Sequence, residues 1–289
     1  MNDRDTVLVT GATGTTGSRV VARLAALGHP VRAAARRPAG PSGAHAVPFD
    51  WHDPATHAGA LHGADRLYLV PPPGDPDPAA VMLPFLERAR AAGARRAVLL
   101  SSSALPAGGP GVGRVHAALP GLFDAWTVLR PSWFMQNFTG GHLHAQDIRA
   151  HGVLTTATGT GRVGFVDADD IAAVAVRALT AEPALPGGDL VLTGPQALSY
   201  DEVAAVVTEV TGRPVRHRAI GHEELRDRLT AGMPAEFAAL LAGLDRAIAG
   251  GAEDRVTDTV ERLTGRPPRS FRAHAHEHWS GGAARIPAP

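Results

Sequence analysis

The 289-residue chain contains neither cysteine nor lysine. Without cysteine there is no disulfide framework, no thiol nucleophile and no thiolate metal or redox centre. Without lysine there is no Schiff-base chemistry, no ammonium general base and no P-loop lysine. All 28 basic side chains are therefore arginines, and 28 Asp plus Glu bring the formal charge to zero. A neutral chain lacks the basic field that nucleic acid or anionic lipid would require, so neither is an expected partner. No apolar run approaches the ~18 residues of a membrane span. The opening Met1-Asn2-Asp3-Arg4-Asp5 is polar, and the apolar stretch after it is too short for a signal peptide. A cytoplasmic protein with a small-molecule substrate is the expectation.

What is present is 44% apolar and 19% charged, the range of a soluble globular protein. The length suggests about two domains, or one large α/β unit. Short apolar runs at 6–9, 31–35, 46–49, 66–70, 97–100 and 126–129 read as strands. Between them, Val20, Val21, Leu24 and Leu27 mark one helical face that stops at Gly28. A second helix spans about 79–92, with Pro84 predicting a kink or a late start. This alternation implies a parallel sheet with helices on both faces. Further on, 163–166 reads as extended, and Asp169-Asp170 as the cap of a helix running to about Leu179. Ser199-Tyr200-Asp201-Glu202 has the form of a capping box, and helices follow near 222–230 and 234–249.

Gly11-Ala12-Thr13-Gly14-Thr15-Thr16-Gly17 follows the first strand and opens the first helix with GxxGxxG spacing. Glycines permit the tight turn and the close approach of a pyrophosphate, and the helix N-terminus supplies N–H donors and a positive dipole end. An NAD-specific protein would place a carboxylate about 20 residues on, to bond the ribose 2′-hydroxyl. This chain has Arg36-Arg37 there, either a guanidinium clamp for the 2′-phosphate of NADP or a solvated basic pair. NADP(H) is thus the expected cofactor. Asp50-Trp51, after the third strand, falls where a side chain or backbone group bonds the adenine, or forms an ordinary polar turn.

Several blocks together resemble the NmrA-like atypical short-chain dehydrogenase/reductases. They are Val9 to Gly14 with Gly17, the arginine pair, Val98 to Ser103, Thr127 to Phe138 with its Leu-Arg-Pro-Ser-Trp-Phe-Met-Gln-Asn core, Phe165 to Ala172, and Asp258 to Arg269. The most specific of these, the Leu-Arg-Pro-Ser-Trp-Phe-Met-Gln-Asn block, is similar to bacterial relatives of ergot-alkaloid reductases and quinone oxidoreductases. The resemblance implies a doubly wound parallel sheet, a Rossmann fold, with a smaller C-terminal substrate lobe. The expected division is a dinucleotide-binding core at 1–131 and about 163–185 and a substrate side at 132–162 and 186–289, interleaved in one compact unit because no flexible linker divides the chain. Thr13, Thr15 and Thr16 would join the three glycines around the cofactor. Val70, Pro71 and Pro72 would pass the adenosine ribose and pyrophosphate, Ser101 and Ser102 the nicotinamide ribose, and Pro131, Ser132, Trp133 and Phe134 the nicotinamide. Ser103, Met135, Phe138 and His142 would shape the substrate pocket, with His144 close by.

One part of the pattern is broken. Short-chain dehydrogenases use Tyr-x-x-x-Lys, where lysine lowers the tyrosine pKa and tyrosine protonates the carbonyl oxygen. By the resemblance those positions hold Val112 and His116, and the only tyrosines are Tyr68 and Tyr200. His116 would hold the ribose, donate a proton near neutral pH, or be structural. Ordinary ketone reduction is disfavoured. A quinone, an iminium or an activated double bond needs less acid catalysis, because positioning supplies most of the rate. The expected activity is NADPH-dependent hydride transfer to such a small, aromatic acceptor, with a place in secondary metabolism implied by analogy. The alternative is an NADP(H)-binding sensor that performs no chemistry. His274, His276 and His278 invite a metal reading, but on a helix His276 points away from the other two. A solvated helix is expected there, and no metal.

Overall fold

The computed structural model describes residues 6–41 and 43–279, so the reading of Met1 to Asp5 lies outside the described residues. The elements run β1 (Val7–Thr10), α1 (Gly17–Ala26), β2 (Val31–Ala35), β3 (Ala44–Pro48), α2 (His57–Leu61), β4 (Arg66–Leu69), α3 (Pro78–Ala91), β5 (Arg96–Leu100), α4 (Gly113–Leu122) and β6 (Ala125–Pro131). They continue α5 (Leu143–His151), β7 (Val153–Thr156), β8 (Arg162–Val163), α6 (Ala168–Thr180), β9 (Gly188–Leu192), β10 (Leu198–Ser199) and α7 (Tyr200–Thr211). The last are β11 (Arg216–Ala219), α8 (His222–Thr230), α9 (Ala235–Ala249), α10 (Thr259–Thr264) and α11 (Phe271–Trp279). The chain forms two units. The first holds residues up to Pro131, Ala168–Leu192 and Arg262–Gly265; the second holds Ser132–Asp167, Thr193–Glu261 and Arg266 onward.

The first unit is built on a seven-stranded sheet ordered β3-β2-β1-β4-β5-β6-β9, parallel throughout. Alternation assigns its two faces. Leu8, Leu67, Leu69, Ala97 and Leu99 join Met82, Phe85, Leu86, Val115 and Leu119 in a core under α3 and α4. The opposite face is covered by α1 and α6, which Arg19 and Arg23 tie together through Asp169 at 3.2 and 3.4 Å. This is the doubly wound α/β fold. Pro84 does not divide α3. It sits on the exposed side, while Met82, Phe85, Leu86 and Ala89 are buried. At roughly 1.5–3 kcal/mol per large side chain, that burial outweighs the ~3 kcal/mol cost of an internal proline.

The unit-one stretch after the second boundary is 168–192, later than the 163–185 expected from the sequence. Arg162–Val163 pairs antiparallel with Leu198–Ser199 in the second unit, whereas β9 lies beside β6 at the sheet edge. The second unit has its own core, centred on Phe138, Phe165, Tyr200 and Phe271. β7 and β11 pair in parallel there. The Ser199 capping box forms as the sequence predicts: Ser199 Oγ accepts the Glu202 N–H at 3.2 Å, and Glu202 Oε2 accepts the Ser199 N–H at 2.7 Å. Among the described residues no helix is long and apolar enough to cross a membrane.

Candidate functional site

The strand order reverses between β1 and β4, and ligands of open α/β sheets bind beyond the carboxyl ends of the strands at that point. Here Thr10 Oγ1 donates to Tyr68 O at 3.2 Å and accepts the Val70 N–H at 2.8 Å, fixing the two strand ends against each other. A cavity of about 320 Å³ opens above them. Gly11, Thr13, Gly14, Arg36, Asp50, Trp51, Val70, Pro71 and Pro72 line it, with Ala34, Ala35, Phe49, His52 and Pro73. Trp51 is a wall of this cavity: its Nε1–H donates to Val70 O at 3.1 Å, and its ring meets Phe49 edge-on at 4.9 Å.

The glycines are set by space as well as by conformation. Gly11 has φ +60°, and a Cβ on it would stand 3.0 Å from Val70 Cβ. A Cβ on Gly17 would stand 2.2 Å from the carbonyl oxygen of Gly11. No side chain caps the N-terminus of α1, which leaves the positive end of its dipole for a ligand. The cradle therefore fits a dinucleotide pyrophosphate. Arg36 lines the cavity and Arg37 does not. Thr15, Thr16 and Gly17 form the turn into α1 behind the lining, with Thr16 buried at its N-cap.

Beyond β5, Ser101 N–H donates to Leu129 O at 2.8 Å and Ser103 N–H to Pro131 O at 2.9 Å, so the β5–β6 ladder extends past the strand. Ser102 lies between them and accepts the Ala104 N–H through its Oγ at 3.3 Å. Ser101 Oγ and His116 Nδ1 are among the buried polar atoms of this unit that have no hydrogen-bonding partner among the described residues. Orphaned buried groups of this kind suit a ribose hydroxyl. His116 is 5% exposed, one turn into α4 from the N-cap Val112. Burial pushes its pKa down, Asp189 acting against this and Arg130 with it. The ring is therefore neutral near pH 7, which weighs against the imidazolium proton donor the sequence suggested and leaves the ribose-holding role open.

Pro131 ends β6, and the chain continues into Ser132, Trp133 and Phe134 of the second unit. Val166 N–H donates to Trp133 O at 2.9 Å, Met135 N–H to Val166 O at 3.0 Å, and these bonds fix the Trp-Phe-Met block. Met135 and Phe138 line neither the cofactor cavity nor the second unit's own cavity. They stand three residues apart on a 3₁₀ turn, where side chains at i and i+3 eclipse, and both are packed in the core at 1% and 0% exposure. Trp133, Asn137, His142 and His144 instead line a second cavity of about 320 Å³, closed by Leu225, Leu229, Gly232, Met233, Leu241, Leu244 and Asp245 of the α8–α9 hairpin. No sequence motif marks the hairpin residues.

The polar groups of this second cavity are few. His142 Nδ1 accepts the His144 N–H at 3.2 Å and so caps α5 as a neutral ring. His144 stacks on Phe138 at 5.6 Å, and burial, reinforced by His142 and His217, pushes its pKa down to about 3. Arg228 faces Asp147 at 3.6 Å. Asp245 accepts the Ala157 N–H at 2.8 Å.

The histidine-rich segment departs from the solvated helix expected of it. It forms α11, but His274 is fully buried, with Nδ1 2.9 Å from Asp167 Oδ2 and Nε2 2.9 Å from Thr139 Oγ1. Among the described residues no group of three or more His, Asp or Glu is placed to hold a metal ion.

Comparison with known proteins agrees with this geometry. Residues 11–118 match a family described as NAD(P)H-binding. The chain is 45% identical over 279 residues to the uncharacterized oxidoreductase YesF of Bacillus subtilis, covering 96% of each. It is 39% identical over 279 residues to the agroclavine dehydrogenase of Claviceps fusiformis, covering 92% of this chain and 94% of that one. The chain belongs to the NmrA-like atypical short-chain dehydrogenase/reductases. Its fold is shared with the NADPH-dependent quinone oxidoreductase QOR2 of Escherichia coli, solved with NADPH, at TM-score 0.80 and 24% identity over 94% of this chain and 99% of that one. Like its oxidoreductase relatives it is an NAD(P)H-dependent oxidoreductase.

Proposed function

We propose that this reductase transfers hydride from NADPH to a small aromatic acceptor held in the cavity of the second unit. The acceptor is an iminium, a quinone or an activated double bond. The observation that carries this reading is the lining of that cavity, where Trp133, Leu225, Leu229, Leu241 and Leu244 surround a few polar groups. NADPH supplies the hydride. The chain's own residues bind and orient: Gly11, Thr13, Gly14 and Gly17 admit the pyrophosphate, Arg36 reads the 2′-phosphate, and Ser101, Ser102 and His116 hold the nicotinamide ribose. Ser132, Trp133 and Phe134 flank the nicotinamide, and Trp133 and His142 meet the acceptor. Val112 and neutral His116 stand where a proton-donating pair would be, so acceptors that need no acid from the protein fit best.

The test is a spectrophotometric panel of quinones and cyclic iminium compounds with NADPH. NADPH consumption with formation of reduced product is expected for at least one class. Tight NADPH binding with no turnover on any acceptor would overturn the reading. The 2′-phosphate reader is tested separately. Arg36→Ala is expected to weaken NADPH binding by roughly 10–100-fold and leave NADH unchanged, since a charged hydrogen bond contributes about 1.5–3 kcal/mol. Arg37→Ala, outside the cavity lining, should cost less than about threefold. Equal losses for NADPH and NADH in Arg36→Ala would remove the assignment.

A further inference from the structure

The second unit's cavity has a charge balance that its apolar lining hides. Three formally charged groups line it: Asp147, Arg228 and Asp245. Arg228 and Asp147 face each other at 3.6 Å, with His151 also 3.8 Å from Asp147, so their charges offset. His142 and His144 add no positive charge, because burial pushes both rings toward the neutral form. One carboxylate is left without an opposing cation.

That carboxylate is Asp245. One of its oxygens accepts the Ala157 N–H at 2.8 Å, and among the described residues it forms no ion pair. The histidines nearest it are committed elsewhere. His217 meets Thr156 Oγ1 at 2.7 Å and Asp201 at 3.2 Å, and the His222 ring meets Ala242 O at 2.9 Å. A carboxylate held by a single N–H among leucines is poorly solvated. A cationic occupant would supply what the protein does not.

We propose that Asp245 makes this cavity selective for a cationic aromatic acceptor, and that it is the residue that reads the acceptor's charge. The inference rests on the reading of the cavity as the acceptor site. Trp133 adds a ring face of the kind that attracts a cation, and the cavity's apolar walls suit the rest of an aromatic molecule. Burial pushes the Asp245 carboxyl up from its ordinary value, with the Ala157 N–H, His217 and His222 acting against this but not offsetting it; burial therefore costs the ionised form, and a bound cation restores it. An iminium satisfies this chemistry. Hydride adds to the carbon of C=N⁺, the π pair moves to nitrogen, NADPH becomes NADP⁺, and no proton is needed.

The experiment measures binding without turnover, by calorimetry on the full chain saturated with NADP⁺, which has no hydride to give. The probes are N-methylquinolinium, quinoline and quinoline-2-carboxylate at pH 8. The cation should bind about tenfold or more tightly than quinoline, and the anion should bind most weakly. Asp245→Asn keeps an oxygen for the Ala157 N–H and removes the charge; the cation should fall to within about threefold of quinoline. Asp245→Glu should retain most of the preference, which separates charge from packing. Equal binding of cation and quinoline by the native protein, failure of the cation to bind, or a preference that survives Asp245→Asn would each overturn the proposal. Charge selectivity without NADPH consumption on any acceptor would instead sink the hydride-transfer reading alone. Turnover that is indifferent to acceptor charge in both native and Asp245→Asn proteins would sink this inference alone.

Discussion

Gly17→Ala is expected to weaken NADPH binding by about 100-fold or more while leaving a folded protein. The added Cβ would lie 2.2 Å from Gly11 O, 2.8 Å from Gly11 C and 3.1 Å from Ala12 Cα. All three atoms are backbone, so no rotamer change relieves the clash. The loop must move, and Gly11 is part of the cavity lining. Overpacking of this kind costs about 1–3 kcal/mol. At 1.4 kcal/mol per decade, a loop displaced by that strain and no longer aimed at a pyrophosphate loses about two decades of affinity. Gly28→Ala is the control. Gly28 also has a positive φ, +79°, but nothing lies within 4 Å of its added Cβ, and it does not line the cavity. Its cost is conformational, about 1 kcal/mol of stability, with NADPH affinity unchanged. Titration of NADPH fluorescence, alongside thermal unfolding of both variants, separates the two effects. Unchanged NADPH affinity in Gly17→Ala would remove the loop from the cofactor site.

Local signals were legible in the sequence because local physics decides them. The strand Val31–Ala35, the helix His222–Thr230 and the Ser199 capping box are all set within a few residues of chain. The glycine turn, with its strand before and helix after, likewise announces the switch point of the sheet. Partners distant in sequence left no such trace. β11, Arg-His-Arg-Ala, has no apolar alternation, and it is a strand because β7 lies beside it. β9 is short and flanked by Gly and Pro, yet it completes the sheet. Met135 and Phe138 read as pocket residues because the block holding them is aromatic. Their direction depends on a 3₁₀ turn that places them together toward the core and leaves Asn137 on the cavity. Asp245 has no motif at all, since what distinguishes it is that Arg228 in the same lining faces Asp147 instead.

Breaking the buried Asp167–His274 pair is expected to cost about 3–5 kcal/mol, the range for leaving one charged partner uncompensated. Both side chains are fully buried, 2.9 Å apart, and 107 residues apart in sequence. Asp167 is held on each oxygen: Gln136 Nε2 donates to Oδ1 at 3.1 Å, and Arg269 Nη1 lies 3.4 Å from Oδ2. His274 bridges onward to Thr139 and stacks on His278 at 4.3 Å. The network therefore anchors α11 beside the loop that carries the Trp-Phe-Met block, all within the second unit. Asp167→Ala leaves Gln136, Arg269 and His274 without their shared acceptor. His274→Ala removes a ring and leaves Thr139 Oγ1 short of a partner. At about 2–4 °C per kcal/mol for 150–250 residues, an upper bound for this 289-residue chain, each single variant should lower the unfolding midpoint by up to roughly 6–20 °C. The double variant should fall short of the sum by about 0.5–3 kcal/mol, because the first substitution already removes the contact the second would break. Denaturant titration of the four proteins closes the cycle. Additive losses would mean that the two side chains act independently, and then the alignment of Asp167, His274 and Thr139 would not be what holds α11 in place.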